Sequence, residues 1–392
     1  MPSKKIFLIA GEASGDFHGA HLVRQLKQLD PNLICRGLGG PLMAQEGVEL
    51  LYDLTKEAVL GLGDVLRKYF LFRSIFNQAL QAVERFRPDA IILIDYPGFN
   101  LRFAKKINKK FPVIYYVSPQ IWAWAGRRIH TIKRTVNHMI VFFKFEAELY
   151  QKAGVPVTWV GHPLVDLAQP SKSRLELRSE FLPKIENQTK MVALLPGSRE
   201  TEVMRILPEM LNIAKTLRKR IPNVHFFLSE STTLPQALYE GILMEARPTY
   251  PIHRVRNQTH DLLHASDFAL VSSGTATLEA TLASTPFVIL YKTAWSTFFL
   301  GRRLIRIPYI GLVNVIAGRK VVPEFIQHEI RTETIAQEAG YLLEHQDLRE
   351  KMILDLKAVS EKLGEPGAVS RAAQAVANHI GINKTTAHVE AR

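Results

Sequence analysis

The chain has 392 residues, more than one hydrophobic core usually serves, so two domains of roughly 150–200 residues are expected. With 47% hydrophobic and 22% charged residues it is neither disordered nor fibrous, and its single cysteine, Cys35, excludes an intramolecular disulfide and a multi-cysteine metal site. A net charge of +13 and a pI near 9.7 call for anionic partners, yet the cations are scattered and match no nucleic-acid-binding pattern, which argues against nucleic acid.

Lys4 and Lys5 precede an apolar run, Ile6–Ala10, that is too short for a signal sequence and reads as a buried β-strand. It runs into Gly11-Glu12-Ala13-Ser14-Gly15-Asp16, with a helical pattern from about His18. A glycine loop between a strand and a helix is where open α/β folds place ligands; the same loop also reads as a tight turn with Asp16 as a helix cap. It is neither a Walker loop nor, with Gly37-Leu38-Gly39-Gly40, a dinucleotide fingerprint.

On a helical wheel of Val65–Phe76, the residues Val65, Tyr69, Phe72, Ile75 and Phe76 form a core-facing arc. Leu66, Phe70 and Leu71 fall instead among Arg67, Arg73 and Ser74. That mixture suits a helix lying in a membrane interface, or one covered by another element or subunit. The strand Ala90–Ile94 then ends in Asp95-Tyr96-Pro97-Gly98-Phe99-Asn100, which puts a carboxylate at the sheet's carboxyl edge. Asp95 is a candidate general base for an acceptor hydroxyl; an Asp before a turn also serves simply to bond local N–H groups.

Further apolar runs at Val113–Val117, Met139–Phe143 and Val157–Val160 complete a parallel α/β sheet. His162, in Gly161-His162-Pro163, is a weaker site candidate that also fits a turn or core position. The polar stretch Pro170–Lys190 reads as a linker, and the cleft between the domains is the expected place for substrate.

The second series has strands near Val192–Leu195, Val224–Leu228, Phe268–Val271 and Pro286–Leu290. Its first loop, Pro196-Gly197-Ser198-Arg199, offers N–H groups, a hydroxyl and a guanidinium to a phosphate. Ser272-Ser273-Gly274-Thr275-Ala276-Thr277-Leu278-Glu279 repeats the design; Glu279 is placed either to accept ribose hydroxyls or merely to favour the helix dipole. Phe268–Tyr291 is long enough for a membrane span, but Gly274, Glu279, Pro286 and its hydroxyls favour strand, turn, helix and strand. Asn314, within Gly311–Ala317, is a weaker candidate. No Asp-x-Asp pair occurs, so the usual carboxylate clamp for a divalent metal is missing. A helix near Arg371–Ile380 ends the fold, and Lys384–Arg392 is expected to fray.

Gly11–Asp16, Asp95 with Asn100, Ser118-Pro119-Gln120-Ile121-Trp122-Ala123-Trp124, Gly161-His162-Pro163, Leu195–Arg199, Ser273–Glu279 and Asn314–Gly318 stand in an order and spacing that resembles the lipid-A-disaccharide synthases, from about residue 6 to 380. The resemblance implies a GT-B type enzyme of two Rossmann-like domains facing a cleft. Residues 1–168 would form an acceptor and lipid domain and 190–360 a UDP-sugar domain, while 361–392 would form a C-terminal helix and tail able to pack back on the first. It implies transfer of 2,3-diacylglucosamine from UDP-2,3-diacylglucosamine to 2,3-diacylglucosamine 1-phosphate (lipid X), inverting, without metal or other cofactor. The place of action would be the cytoplasmic face of a bacterial inner membrane, by peripheral association and with room for an oligomer. By position Asp95 would be the base, Arg199 and Glu12 essential, and Gly11, Ser14, Gly15, Asp16 and Asn100 the acceptor side. Gly197, Ser198, Ser273, Gly274, Thr275, Ala276, Glu279 and Asn314 would lie on the nucleotide side. A UDP-sugar 2-epimerase on the same architecture and a non-catalytic lipid or sugar-nucleotide binding protein are the competing readings.

Overall fold

The structure, a computed structural model, describes residues 3–57, 64–182, 189–295 and 307–382. The chain forms two compact units, Met1–Pro163 with Gly364–Arg392, and Leu164–Leu363.

The first unit is built on seven parallel strands: β1 (Lys5–Ala10), β2 (Ile34–Gly39), β3 (Val48–Asp53), β4 (Ala90–Ile94), β5 (Val113–Tyr116), β6 (His138–Val141) and β7 (Val157–Trp159), in the order β3-β2-β1-β4-β5-β6-β7. The second has six, β8 (Lys190–Leu195), β9 (Val224–Glu230), β10 (Ile252–Arg256), β11 (Phe268–Ser272), β12 (Phe287–Tyr291) and β13 (Glu324–Ile326), in the order β10-β9-β8-β11-β12-β13, again all parallel. Both are doubly wound, as the unbroken apolar runs predict: strands covered on both faces need no polar side. In β1 the side chains of Ile6, Phe7, Leu8 and Ile9 are fully buried, each contributing roughly 1.5–3 kcal/mol on leaving water.

Winding reverses between β1 and β4 in one sheet and between β8 and β11 in the other. Ala10 pairs with Ile94, and Leu195 with Val271, so in each unit two loops leave adjacent strands side by side. Phe268–Tyr291 is a strand, a helix (Ala276–Leu282) and a strand, and among the described residues no helix is long and apolar enough to cross a membrane.

Four strands escape the apolar-run reading. β2 contains Gly37, where a Cβ would lie 1.9 Å from the Leu8 carbonyl oxygen, so the close approach of β1 requires glycine. β3, β10 and β13 are edge strands whose apolar runs are interrupted or cut short by polar residues. The boundary between units falls after Pro163, and the stretch read as a linker contains a helix, Arg174–Phe181, of the second unit. Ser173 and Glu176 form its capping box, and Arg178 ties it to Asp267 and to the Thr189 carbonyl. At the other end, helix Ala368–Ile380 packs on Ala13–Leu29, and Arg371 Nε donates to the Val160 carbonyl at 2.9 Å.

Candidate active site

In the first unit β4 ends in a strained corner: Asp95 and Tyr96 have φ of +45° and +47°, the left-handed region that side chains resist. Asn100, fully buried one turn into helix Pro97–Ile107, holds that corner. Its amide nitrogen donates to the carbonyls of Asp95 (2.8 Å), Ile94 (3.2 Å) and Ile9 (3.4 Å), while Tyr115 donates its hydroxyl to the Asp95 carbonyl at 2.5 Å. The backbone of Asp95 is thus held at its carbonyl by Asn100 and Tyr115 and at its N–H, which donates to the Tyr116 carbonyl at 3.0 Å.

Tyr96 leans over the glycine loop, where a Cβ on Gly11 would fall 2.1 Å from its ring. Gly15 is buried against Ala10, and Glu12 and Ser14 stand exposed on the loop. Asp16 points inward instead. Its carboxylate accepts from the N–H groups of Gly40 (2.9 Å), Leu42 (3.0 Å) and Met43 (2.9 Å), so it caps the next helix, Pro41–Gln45, rather than its own. Burial and the nearby charge of Glu12 push the Asp95 carboxyl up to about 6, against a bond from the Tyr96 N–H that lowers it.

Behind this edge sit two buried imidazoles. His18 and His162 flank the Phe142 ring, with centroids 5.1 and 5.2 Å away; burial lowers them to about 4 and about 3, and each is further lowered by a neighbouring imidazole. His162 is therefore an aromatic-packed core residue. In Ser118–Trp124, Trp122 donates to buried Glu146 at 3.1 Å, and burial pushes that carboxyl up to about 7. Trp124 is exposed, with the Arg128 guanidinium 4.5 Å over its ring.

The second unit holds a cavity of about 440 Å³ at its switch point. Gly197, Ser198 and Arg199 line it from the loop after β8, and Ser273, Gly274, Thr275, Ala276 and Glu279 from the loop after β11. Gly197 has φ of +117° and a Cβ there would meet Glu202, so the turn needs glycine. Arg199 is mostly exposed and pairs with Glu202 at 3.3 Å, at the head of the 21-residue helix Glu200–Arg220 whose first N–H groups face the loop. Glu279 lies 3.7 Å from His260; burial raises its carboxyl and His260 opposes the rise.

Sequence reasoning overlooked one wall of this cavity, formed by Ser229 and Glu230 at the end of β9 with Ser231 and Thr232 after it, and by Asn257, Thr259 and His260 after β10. Glu230 is buried between Arg254 and Arg256, and Arg256 also donates to the Thr232 and Leu234 carbonyls at 3.1 Å, shaping the loop. The signal was the position of these residues at the carboxyl ends of strands. Asn314 stands apart from the cavity, fully buried, with every side-chain polar atom used: it donates to the Val322 carbonyl and Glu324 and accepts from the N–H groups of Val321 and Val322, all within 2.7–3.0 Å.

On helix Asp64–Phe86, Phe70 is 66% exposed and Arg73 exposed, but Leu71 packs against the core, because the helix is covered by the sheet on one side and by helix Pro97–Ile107 on another. The side chains of Leu66 and Arg67 lie outside the described residues.

Two doubly wound Rossmann-like domains, each with paired loops at its switch point, give the chain a fold of the GT-B type. The chain belongs to the lipid-A-disaccharide synthetase family, which it matches over residues 6–379, and is thereby an enzyme of lipid A biosynthesis. It is 41% identical over 374 residues to the lipid-A-disaccharide synthase of Syntrophus aciditrophicus, covering 95% of this chain and 97% of that one. Among solved structures its fold is similar to the UDP-GlcNAc 2-epimerase from Neisseria meningitidis bound to UDP-GlcNAc (TM-score 0.59, 14% identity, 97% and 100% of the two chains). It is also similar to MurG of Acinetobacter baumannii (TM-score 0.59, 13% identity, 96% and 100%). At such identities the two structures bear on the fold alone.

Proposed function

We propose that the chain transfers 2,3-diacylglucosamine from its UDP derivative to the 6-hydroxyl of 2,3-diacylglucosamine 1-phosphate, with inversion, giving the β-1,6-linked disaccharide and UDP. The observation that carries this reading is the second-unit cavity, where two loops rich in N–H and hydroxyl donors converge beside Arg199 and a half-buried carboxylate, Glu279. In this reading Ser198, Arg199 and the loop Ser273–Ala276 hold the diphosphate, and Glu279 accepts the ribose hydroxyls. Leaving UDP gains charge as the bond breaks, and Arg199 with the dipole of Glu200–Arg220 stabilises it. No metal is assigned, on the strength of the missing Asp-x-Asp clamp and this cationic substitute.

Asp95 takes the proton from the acceptor hydroxyl, and Glu12 with the glycine loop Gly11–Gly15 borders the acceptor. A carboxyl near pH 6 is ionised at neutral pH and remains basic enough to accept a proton. Asn100 and Asp16 act beneath that surface, the first holding the Asp95 corner and the second the neighbouring turn. Phe70, with Leu66, Arg67 and Arg73, rests on the cytoplasmic face of the inner membrane; Leu71, being packed, is left out of that patch.

The test is the mass of the product formed from both lipid substrates with and without a chelator. A disaccharide in both conditions is expected. An altered donor sugar without acceptor would point to epimerase chemistry, and tight UDP binding with no product to a binding protein.

A further inference from the structure

The Ser118–Trp124 loop has no task in that reaction, although it departs from β5 beside the Asp95 corner: Ile94 pairs with Tyr116, and the Asp95 N–H donates to the Tyr116 carbonyl at 3.0 Å. Glu146, buried at the head of helix Lys144–Lys152, accepts the Trp122 indole N–H at 3.1 Å, and Ile121 and Ala123 are buried. The loop is thereby anchored, with Trp124 as its exposed end. Helix Arg128–Thr135 begins there and, in a doubly wound parallel sheet, runs back toward the amino ends of the strands. Arg128 therefore stays at the carboxyl edge, while Arg134 lies at the far end of the helix.

The Arg128 guanidinium lies 4.5 Å over the Trp124 ring and makes no ion pair among the described residues. Burial, with the neighbouring Asp95 and Tyr150, pushes the Tyr115 phenol well above its usual range, and the charge of Arg128 acts the other way. The guanidinium is thus within electrostatic reach of the hydroxyl that bonds the Asp95 carbonyl. A cation is needed at this edge. The charge of Glu12 already acts on Asp95 there, and the acceptor brings a phosphate monoester of about −1.5 to −2 charge at neutral pH. His18 and His162, lowered chiefly by burial to about 4 and about 3, are neutral at that pH and contribute no charge.

We propose that Arg128, held on Trp124, is the subsite for the 1-phosphate of the acceptor sugar and selects the phosphorylated acceptor over its neutral counterpart. A planar guanidinium presents paired N–H donors to two phosphate oxygens and stacks on an aromatic face at the same time, so the ring orients the fork without occupying its donors. A carboxylate in the place of Trp124 would orient the guanidinium too, but would repel the phosphate. The subsite rests on the acceptor proposed above and is independent of the base and of the nucleotide loops.

The experiment compares 2,3-diacylglucosamine 1-phosphate with 2,3-diacylglucosamine, both dispersed in detergent, as acceptors in turnover and as ligands in calorimetric titration. The parent chain is set beside Arg128→Gln, Arg128→Lys, Trp124→Leu and Arg134→Gln. For Arg128→Gln the expected result is a rise of about 10- to 100-fold in KM and Kd for the phosphorylated sugar, with kcat nearly kept and the neutral sugar unaffected. Arg128→Lys keeps the charge but not the fork and should recover part of the loss. Trp124→Leu should show a smaller rise, again confined to the phosphorylated sugar, and Arg134→Gln none. Equal losses on both sugars would make Arg128 a structural residue and overturn the proposal. A parent chain that binds the two sugars equally would overturn it as well, and so would Arg134→Gln weakening the phosphorylated sugar as much as Arg128→Gln, since net charge alone would then attract the phosphate. A parent chain that forms no disaccharide yet binds the phosphorylated sugar more tightly through Arg128 would refute the transferase reading and support the subsite.

Discussion

At Asp95 one residue carries opposed demands. Burial and the like charge of Glu12 both disfavour its ionised form, so its folded carboxyl titrates near 6 rather than 3.8. With Asp95 as base, kcat/KM should rise through about pH 6 and flatten above it. Asp95→Asn should lose about 10²–10⁴ in turnover, roughly 3–5 kcal/mol of barrier. Replacing Glu12→Gln removes the like charge, so the remaining activity should have its acid limb at lower pH; an unmoved limb in the pH–rate profile would sever the two residues. Stability should run the other way. A carboxyl whose folded pKa is raised holds its proton better in the native state, so its contribution declines as pH rises from 3.8 through 6. Above pH 6 Asp95→Asn is therefore expected to unfold at higher urea than the parent, by at most about 3 kcal/mol at about 1.4 kcal/mol per pKa unit.

The corner that aims Asp95 is a property of an element, the junction of β4 with helix Pro97–Ile107. Its left-handed residues are held largely by the Asn100 amide, so Asn100→Leu should cost about 1–3 kcal/mol in a urea titration, and turnover should fall with it. How much of this was legible depended on where chemistry sits relative to apolar runs. Gly197–Arg199 and Ser273–Glu279 follow fully buried strands, so their place at a sheet edge could be read directly. Asn257 and His260 follow β10, whose Ile-His-Arg-Val-Arg alternation hid the strand and with it the loop. Leu71 misled a wheel drawn for a helix covered on one side, since this helix is covered on two. The inward turn of Asp16 depended on backbone N–H groups more than twenty residues away, beyond the reach of any local pattern.

At the scale of the molecule, the first unit is completed by residues from the far end of the chain. Helix Ala368–Ile380 buries Ala372, Ala373, Val376 and Ile380, and the His379 ring lies tilted against that of His138 of β6 with centroids 4.3 Å apart. Removing residues 364–392 should therefore lower the unfolding midpoint of the first unit while the second keeps its own, giving two separated transitions in a denaturant titration. A single transition of unchanged midpoint would show that the helix adds nothing. The same arrangement sets an order of assembly on the ribosome. Residues 164–363 are contiguous, so the second unit emerges whole and is free to fold as soon as it clears the exit tunnel. The first unit, begun earlier, must wait with helix Ala13–Leu29 uncovered until some 200 further residues have been made. The part of the enzyme synthesised first is thus finished last, and a ribosome-bound chain stalled before residue 368 is expected to leave that helix uncovered.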